Sequence, residues 1–231
     1  AALEREVKPI IAHWYASERE HDGRCYTFFE NDRTVLVCGG IGATAARRAT
    51  EAIITLFRPA QVISAGFAGA LDSSHKVGDV IVPARVIDAG DSSATQTSSG
   101  DGTLVSFGSI ATTDQKAKLA RAYSAQAVDM EAAAVARAAH SRGVPFLAVK
   151  AISDEHDFEM PSLSRFLTDG QFRTAYFVAR TALRPWLWGK AVALARSSAR
   201  AGKALCDWLD RYNQEAEKLD NPQPGMHLIE K

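Results

Sequence analysis

Leu3, Val7, Ile10, Ile11 and Trp14 recur at the spacing of one helix face, so the pattern predicts that the chain opens on an amphipathic helix. Residues 34–38 form a short apolar run that reads as a buried strand. The glycines of residues 39–42 read as a turn, and the alanine-rich residues 43–57 as a helix. The pattern repeats loosely, with strands predicted at residues 61–65, 79–87 and 144–152 and a helix over residues 129–142. Strands alternating with helices predict an α/β fold: a single domain with a central mixed, mainly parallel sheet flanked by helices. Residues 88–102 are Ser, Thr, Gly and Asp with almost nothing apolar, which predicts an exposed loop bordering a site. Beyond Pro161 two helices are expected, over residues 171–183 and 186–212. Arg184-Pro185 separates them, because proline disfavours helix in the residue before it. The catalytic domain is thus expected to span residues 1–212, and the polar residues 213–231, with two prolines, form a tail that frays.

Composition narrows the function. A chain of 231 residues, 46% of them hydrophobic, can bury a proper core. Lys plus Arg and Asp plus Glu balance at 27 each, so no field attracts a polyanion and nucleic acid is not an expected partner. Cys25, Cys38 and Cys206 are odd in number and far apart, as befits buried apolar thiols in a reducing compartment, and a cytoplasmic setting is expected. No apolar stretch reaches the ~18 to 20 residues that cross a bilayer, and the first residues lack the basic-then-apolar pattern of an export signal.

In open α/β sheets ligands bind beyond the carboxyl ends of strands, which directs attention to residues just after each apolar run. Ser153-Asp154 closes the run that begins at Phe146 and sets a carboxylate at a strand end, where it serves either as a cap or as an acid. In Val128-Asp129-Met130-Glu131, at about 100° per residue, Asp129 falls on the helix face of Arg137 and His140, and Glu131 on the apolar face of Val135, Ala138 and Ala139. An inward carboxylate needs a partner or a polar ligand, which favours a functional Glu131. Small residues in Ser64-Ala65-Gly66-Phe67-Ala68-Gly69-Ala70 would let a ligand approach the backbone. Gly39 to Gly42 lacks the Gly-Lys-Ser/Thr ending of a phosphate loop, and helix packing explains it as well. The six histidines show no metal-ligand spacing, so neither metal nor cofactor is expected.

Taken together and in order, Gly40-Ile41-Gly42, Gly66-Phe67-Ala68-Gly69, Val77-Gly78-Asp79-Val80, Ala127-Val128-Asp129-Met130-Glu131-Ala132 and Ala151-Ile152-Ser153-Asp154 resemble the methylthioadenosine/S-adenosylhomocysteine nucleosidases of the nucleoside phosphorylase superfamily. The C-terminal third is more similar to the adenosylhopane nucleosidase branch. The resemblance implies hydrolysis of the bond between a purine and its ribose, within methionine salvage and commonly by a homodimer. It makes Asp154 the acid that protonates the purine N7, and Glu6 the base that positions and deprotonates the attacking water. Glu6 sits at the edge of the apolar stripe and is ambiguous by spacing alone, where a surface acid is the commoner case. Glu131 would hold the ribose hydroxyls and Met130 would pack on the sugar. Gly69 and Ile110 match sugar- and base-contacting positions, and Phe67, Val128 and Ser153 complete the expected binding set.

The chain also departs from the family. Residue 1 lies where a first core strand ends, Phe67 replaces a small hydroxyl residue, Ser109 replaces an aromatic that stacks on adenine, and the loop of residues 88–102 is shorter. Ser64 stands where phosphorylases carry an anion-binding arginine, which favours water over phosphate as the nucleophile. Phosphorolysis is the nearest alternative, and a nucleoside-binding protein without activity the alternative of another class. The small residues of 43–57 are expected to face a second subunit.

Overall fold

The apolar stripe at the start of the chain folds as helix α1 (Glu4–Ile11) with Val7, Ile10 and Ile11 buried. In the computed structural model, which describes residues 1–158, 167–168, 171–172 and 188–220, strands β1 (Tyr15–His21) and β2 (Arg24–Glu30) follow as a hairpin. Its turn is Asp22-Gly23, both at positive φ (49° and 70°), the conformation whose twist suits a two-residue hairpin. Strand β3 (Val35–Val37) pairs with β2 and completes a small antiparallel sheet. On it Phe28 packs against Val37 and the end of helix α2 (Ala43–Phe57).

Strand β4 (Val62–Ala70) then enters the main sheet. It lies between β10 (Phe146–Asp154), which pairs with it in parallel from Val62 to Gly69, and β9 (Ala127–Asp129), which meets it antiparallel only at Gly69 and Ala70. Beyond β9 come β8 (Thr103–Ser106) and β6 (Arg85–Asp88) in parallel, then β7 (Ala94–Gln96) antiparallel at one edge. The short β5 (Val80–Ile81) closes the other edge against β10, giving seven strands in the order β5-β10-β4-β9-β8-β6-β7. Helix α3 (Thr113–Tyr123) sits beside β8 and β9.

Helices cover both faces of the central strands, so β10 is buried along its whole length, as strands covered on both faces are. Phe146, Ala148 and Ile152 face the core of α2 and α4 (Ala132–His140), while Leu147, Val149 and Ala151 face that of α1 and the long helix α5 (Trp188–Asp220). The architecture is the expected single α/β domain.

Several elements differ from the sequence expectation. The helix placed over residues 129–142 begins only at Ala132, and Asp129 ends a strand. The face calculation for Asp129 therefore started from the wrong geometry, and Asp129 is buried. The strand placed over residues 79–87 is two strands with Pro83 between them, since proline cannot donate to a ladder. The loop of residues 88–102 carries β7, whose Ala94 pairs with Ile87. Strand β4 runs on through Gly66 to Ala70, past the predicted end at residue 65. Within residues 171–183, Gln171–Phe172 is strand β12, paired with β11 (Leu167–Thr168); residues 173–183 lie outside the described residues. The last helix, described from Trp188 onward, runs through residues 213–220, which were expected to fray; Arg184-Pro185 lies outside the described residues. Helix α2 buries Ala46, Ala49 and Ala52 within the chain and leaves Ala43, Thr44, Arg47 and Arg48 exposed.

Candidate active site

A cavity of about 1410 Å³ opens at the carboxyl ends of β4 and β10. It continues as an apolar trough between β3 and β4, past Leu36, Ile53, Val62 and Ile63. Ala1 and Ala2 run beside β3 at its rim: the Ala1 nitrogen donates to the Val37 carbonyl at 3.0 Å, and Gly39 N donates to the Ala1 carbonyl at 3.1 Å.

Every residue singled out from the sequence faces this one cavity: Glu6, Phe67, Gly69, Ile110, Val128, Met130, Glu131, Ser153 and Asp154. Glu6 reaches it because the rest of α1 is anchored from behind, where Val7 and Ile10 pack with Leu205 and Leu209 of α5. Its Oε2 accepts from Leu3 N at 3.4 Å. Burial raises the Glu6 pKa, against the downward pull of the N-terminal ammonium and Lys150. Phe67 turns toward α5, where its ring would touch any side chain at Gly202.

Glu131 sits in the residue just before α4, its carboxylate held by two backbone donors, Gly42 N at 2.8 Å on Oε1 and Met130 N at 3.3 Å on Oε2. Burial, reinforced by the negative charge of Asp129, pushes its pKa up to about 7. The first turn of α4 is capped by other side chains: Asp129 Oδ2 accepts from Ala132 N at 2.8 Å, and Ser106 Oγ from Ala133 N at 2.9 Å.

Two lysines that sequence reasoning missed complete the site. Lys150 stands opposite Gly66 in the β10–β4 register, and its Nζ reaches Asp129 on β9 at 2.9 Å. It crosses β4 above Gly66, where a Cβ would lie 3.5 Å from Nζ and 3.3 Å from Glu6 Oε2. Glycine at 66 thus lets an ammonium and a carboxylate converge on one point of the cavity wall. Burial pulls the Lys150 pKa down, but Asp129 and Glu131 outweigh it and the net direction is up. The signal available was a lone charge inside the apolar run of β10.

Lys116, on the inward face of α3, makes the second pair. Its Nζ donates to Asp154 Oδ2 at 2.5 Å and to the Glu155 carbonyl at 2.7 Å. Ser153 Oγ donates to the other oxygen of Asp154 at 2.8 Å. Lys116 is 3% and Asp154 5% exposed, so each charge relies on the other. Gly69 makes room for the pair, since a Cβ there would lie 2.8 Å from Asp154 Oδ2.

Comparison with known proteins identifies the family and the fold. Residues 1–107 and 101–179 match the model of the phosphorylase superfamily. The chain belongs to that superfamily. Within it, the chain is 32% identical over 165 residues to the 5'-methylthioadenosine/S-adenosylhomocysteine nucleosidase of Staphylococcus aureus, covering 56% of this chain and 72% of that protein. A solved nucleosidase of the same name from Colwellia psychrerythraea, in complex with adenine, is 26% identical with a TM-score of 0.59, covering 67% of this chain and 80% of that one. Two more distant structures share the fold. The S-adenosylhomocysteine nucleosidase of Streptococcus pyogenes is 21% identical with a TM-score of 0.68, covering 93% of this chain and 94% of that one. The futalosine hydrolase of Helicobacter pylori is 19% identical with a TM-score of 0.65, covering 91% and 95%. Among the described residues of this superfamily member no helix is long and apolar enough to cross a membrane.

Proposed function

We propose that this chain hydrolyses the N-glycosidic bond of a 5'-substituted adenosine and releases adenine. What carries the reading is the convergence of Glu6, Glu131 and Asp154, from three distant stretches of chain, on one cavity whose wall is cleared by Gly66 and Gly69. Breaking the bond leaves its electron pair on the base and positive charge on the ribose, so an acid at the base and carboxylates at the sugar both lower the barrier. In this reading Asp154 passes a proton to N7, and Glu131 accepts hydrogen bonds from the ribose hydroxyls. Glu6 takes the proton of the water whose oxygen bonds to C1', with Lys150 beside it orienting that water. Met130 and Val128 pack on the sugar, Ile110 and Phe67 border the base and the 5' group, Gly69 admits the ligand, and Ser153 steadies Asp154.

Relatives named for methylthioadenosine and S-adenosylhomocysteine support the substrate class; a place in methionine salvage is part of this reading. All three cysteines are free, in keeping with the cytoplasmic setting of this reading, although only Cys206 is buried as expected and Cys25 is exposed. In this reading the catalytic unit spans residues 1–212, with the last helix continuing it through residue 220, and its assembly is a homodimer.

The test is adenine release from 5'-methylthioadenosine with and without inorganic phosphate. Equal rates and unphosphorylated sugar are expected. A rate that depends on phosphate would turn the reading into phosphorolysis, and tight binding without turnover into a nucleoside-binding protein. Asp154→Asn, whose amide oxygen still accepts from Lys116, should lower kcat by ~10²-fold or more with circular dichroism unchanged.

A further inference from the structure

We propose that Lys116 is the source of the proton that leaves with the base, acting through Asp154; the inference rests on the nucleosidase reading above. Both oxygens of Asp154 are occupied by donors, Oδ2 by Lys116 Nζ at 2.5 Å and Oδ1 by Ser153 Oγ at 2.8 Å. A carboxylate accepting at both oxygens has no proton of its own to give, whereas the ammonium against it has three. The pair is almost wholly buried and lies at the cavity wall, at the strand end where the base is expected, so that a bound base covers it from solvent until the products leave. Water therefore does not replace Lys116 as the immediate donor.

The exchange balances without a further reactant. As the C1'–N9 bond breaks and its electron pair moves onto the purine, a proton passes from Lys116 Nζ to the Asp154 carboxylate and one passes from that carboxyl to N7. The water oxygen bonds to C1' and its proton goes to Glu6. Adenine and the free sugar depart, leaving a neutral lysine and a protonated glutamate. Solvent then returns one proton to Lys116 and removes one from Glu6, so the cycle closes. The remaining contact of Lys116, to the Glu155 carbonyl at 2.7 Å, fixes the direction of Nζ while the proton moves.

The inference separates Lys116 as a proton source from Lys116 as a mere counter-ion. Lys116→Arg keeps the positive charge and the hydrogen bonds, but a guanidinium does not give up its proton in proteins. Lys116→Met removes both. Each variant is assayed with 5'-methylthioadenosine and with 4-nitrophenyl riboside, whose leaving group departs as a stable anion and needs no protonation. Both variants are expected to lose ~10²-fold or more in kcat on 5'-methylthioadenosine with KM within about threefold, the size of effect that general acid help supplies. Both should keep their rate on the aryl riboside within about threefold. Lys116→Arg with more than about a third of the wild-type kcat on the nucleoside overturns the proposal, and so does an equal loss on both substrates. Should the wild-type protein not cleave the aryl riboside, the kcat of Lys116→Arg on the nucleoside decides alone. A wild-type protein that releases no adenine from any 5'-substituted adenosine refutes the nucleosidase reading itself, which is a separate outcome read before any variant is made.

Discussion

Glu131 holds the most telling charge in the cavity because its two ionisation states sit near balance at neutral pH. Its pKa of about 7 lies above the ordinary 4.5, so the folded protein binds the proton more tightly than the unfolded chain. The sign follows: the neutral form costs nothing below pH 4.5, and stability is lost as pH rises from there through about 7. Glu131→Gln should therefore be more stable than wild type at pH 8.5 by up to ~3 kcal/mol, with no difference at pH 4, as thermal melts at the two pH values will show. Function has the opposite preference, since only the carboxylate can accept from two ribose hydroxyls. Wild-type kcat/KM should rise with pH through about 7, and Glu131→Gln should lack that limb. The helical face reasoning pointed Glu131 inward for a reason that does not hold, because Glu131 precedes the helix and is aimed by Gly42 N–H. Asp129 was misplaced by the same step, since two residues of extended backbone rotate a side chain quite differently from two of helix.

At the scale of elements, the site depends on α1 being held against α5. Leu205 is fully buried in one cluster with Val7 and Ile10 of α1 and Val149 of β10, and Cys206 Sγ approaches the Glu6 carbonyl at 3.7 Å. Leu205→Ala should cost ~2 to 5 kcal/mol in chemical denaturation. It should also lower kcat more than it raises KM, because the cavity it leaves loosens the helix that carries the proposed base. Periodicity exposed α1, α2, β4 and β10, whose apolar faces are long enough to show a repeat. The hairpin β1–β2, strands β8 and β9 and helix α3 escaped notice, although Asp22-Gly23 is a hairpin signal and Thr112 with Gln115 forms a capping box. Strands of three or four residues, such as β8 and β9, are too short to show any period.

Over the whole molecule, the ion pair Lys150–Asp129 ties β10 to β9 across the intervening β4. With side chains 2% and 0% exposed, each charge is tolerable only beside the other. Lys150→Met should cost ~3 to 5 kcal/mol by stranding Asp129. Adding Asp129→Asn should recover part of that loss, a coupling that a double-mutant cycle by denaturation will measure. Chain order and hydropathy were enough to establish the α/β class and the opening helix and to direct attention to Glu131 and Asp154, because those features depend on residue type and near-neighbour spacing; Glu6 entered only through the family resemblance. Pairings depended instead on the spatial order β10-β4-β9, in which strands distant in the chain become neighbours. Lys116 meets a carboxylate 38 residues away, and no local pattern encodes a contact made only when the sheet closes. The chain by itself thus named the acids, and folding alone chose the ammonium groups that face them.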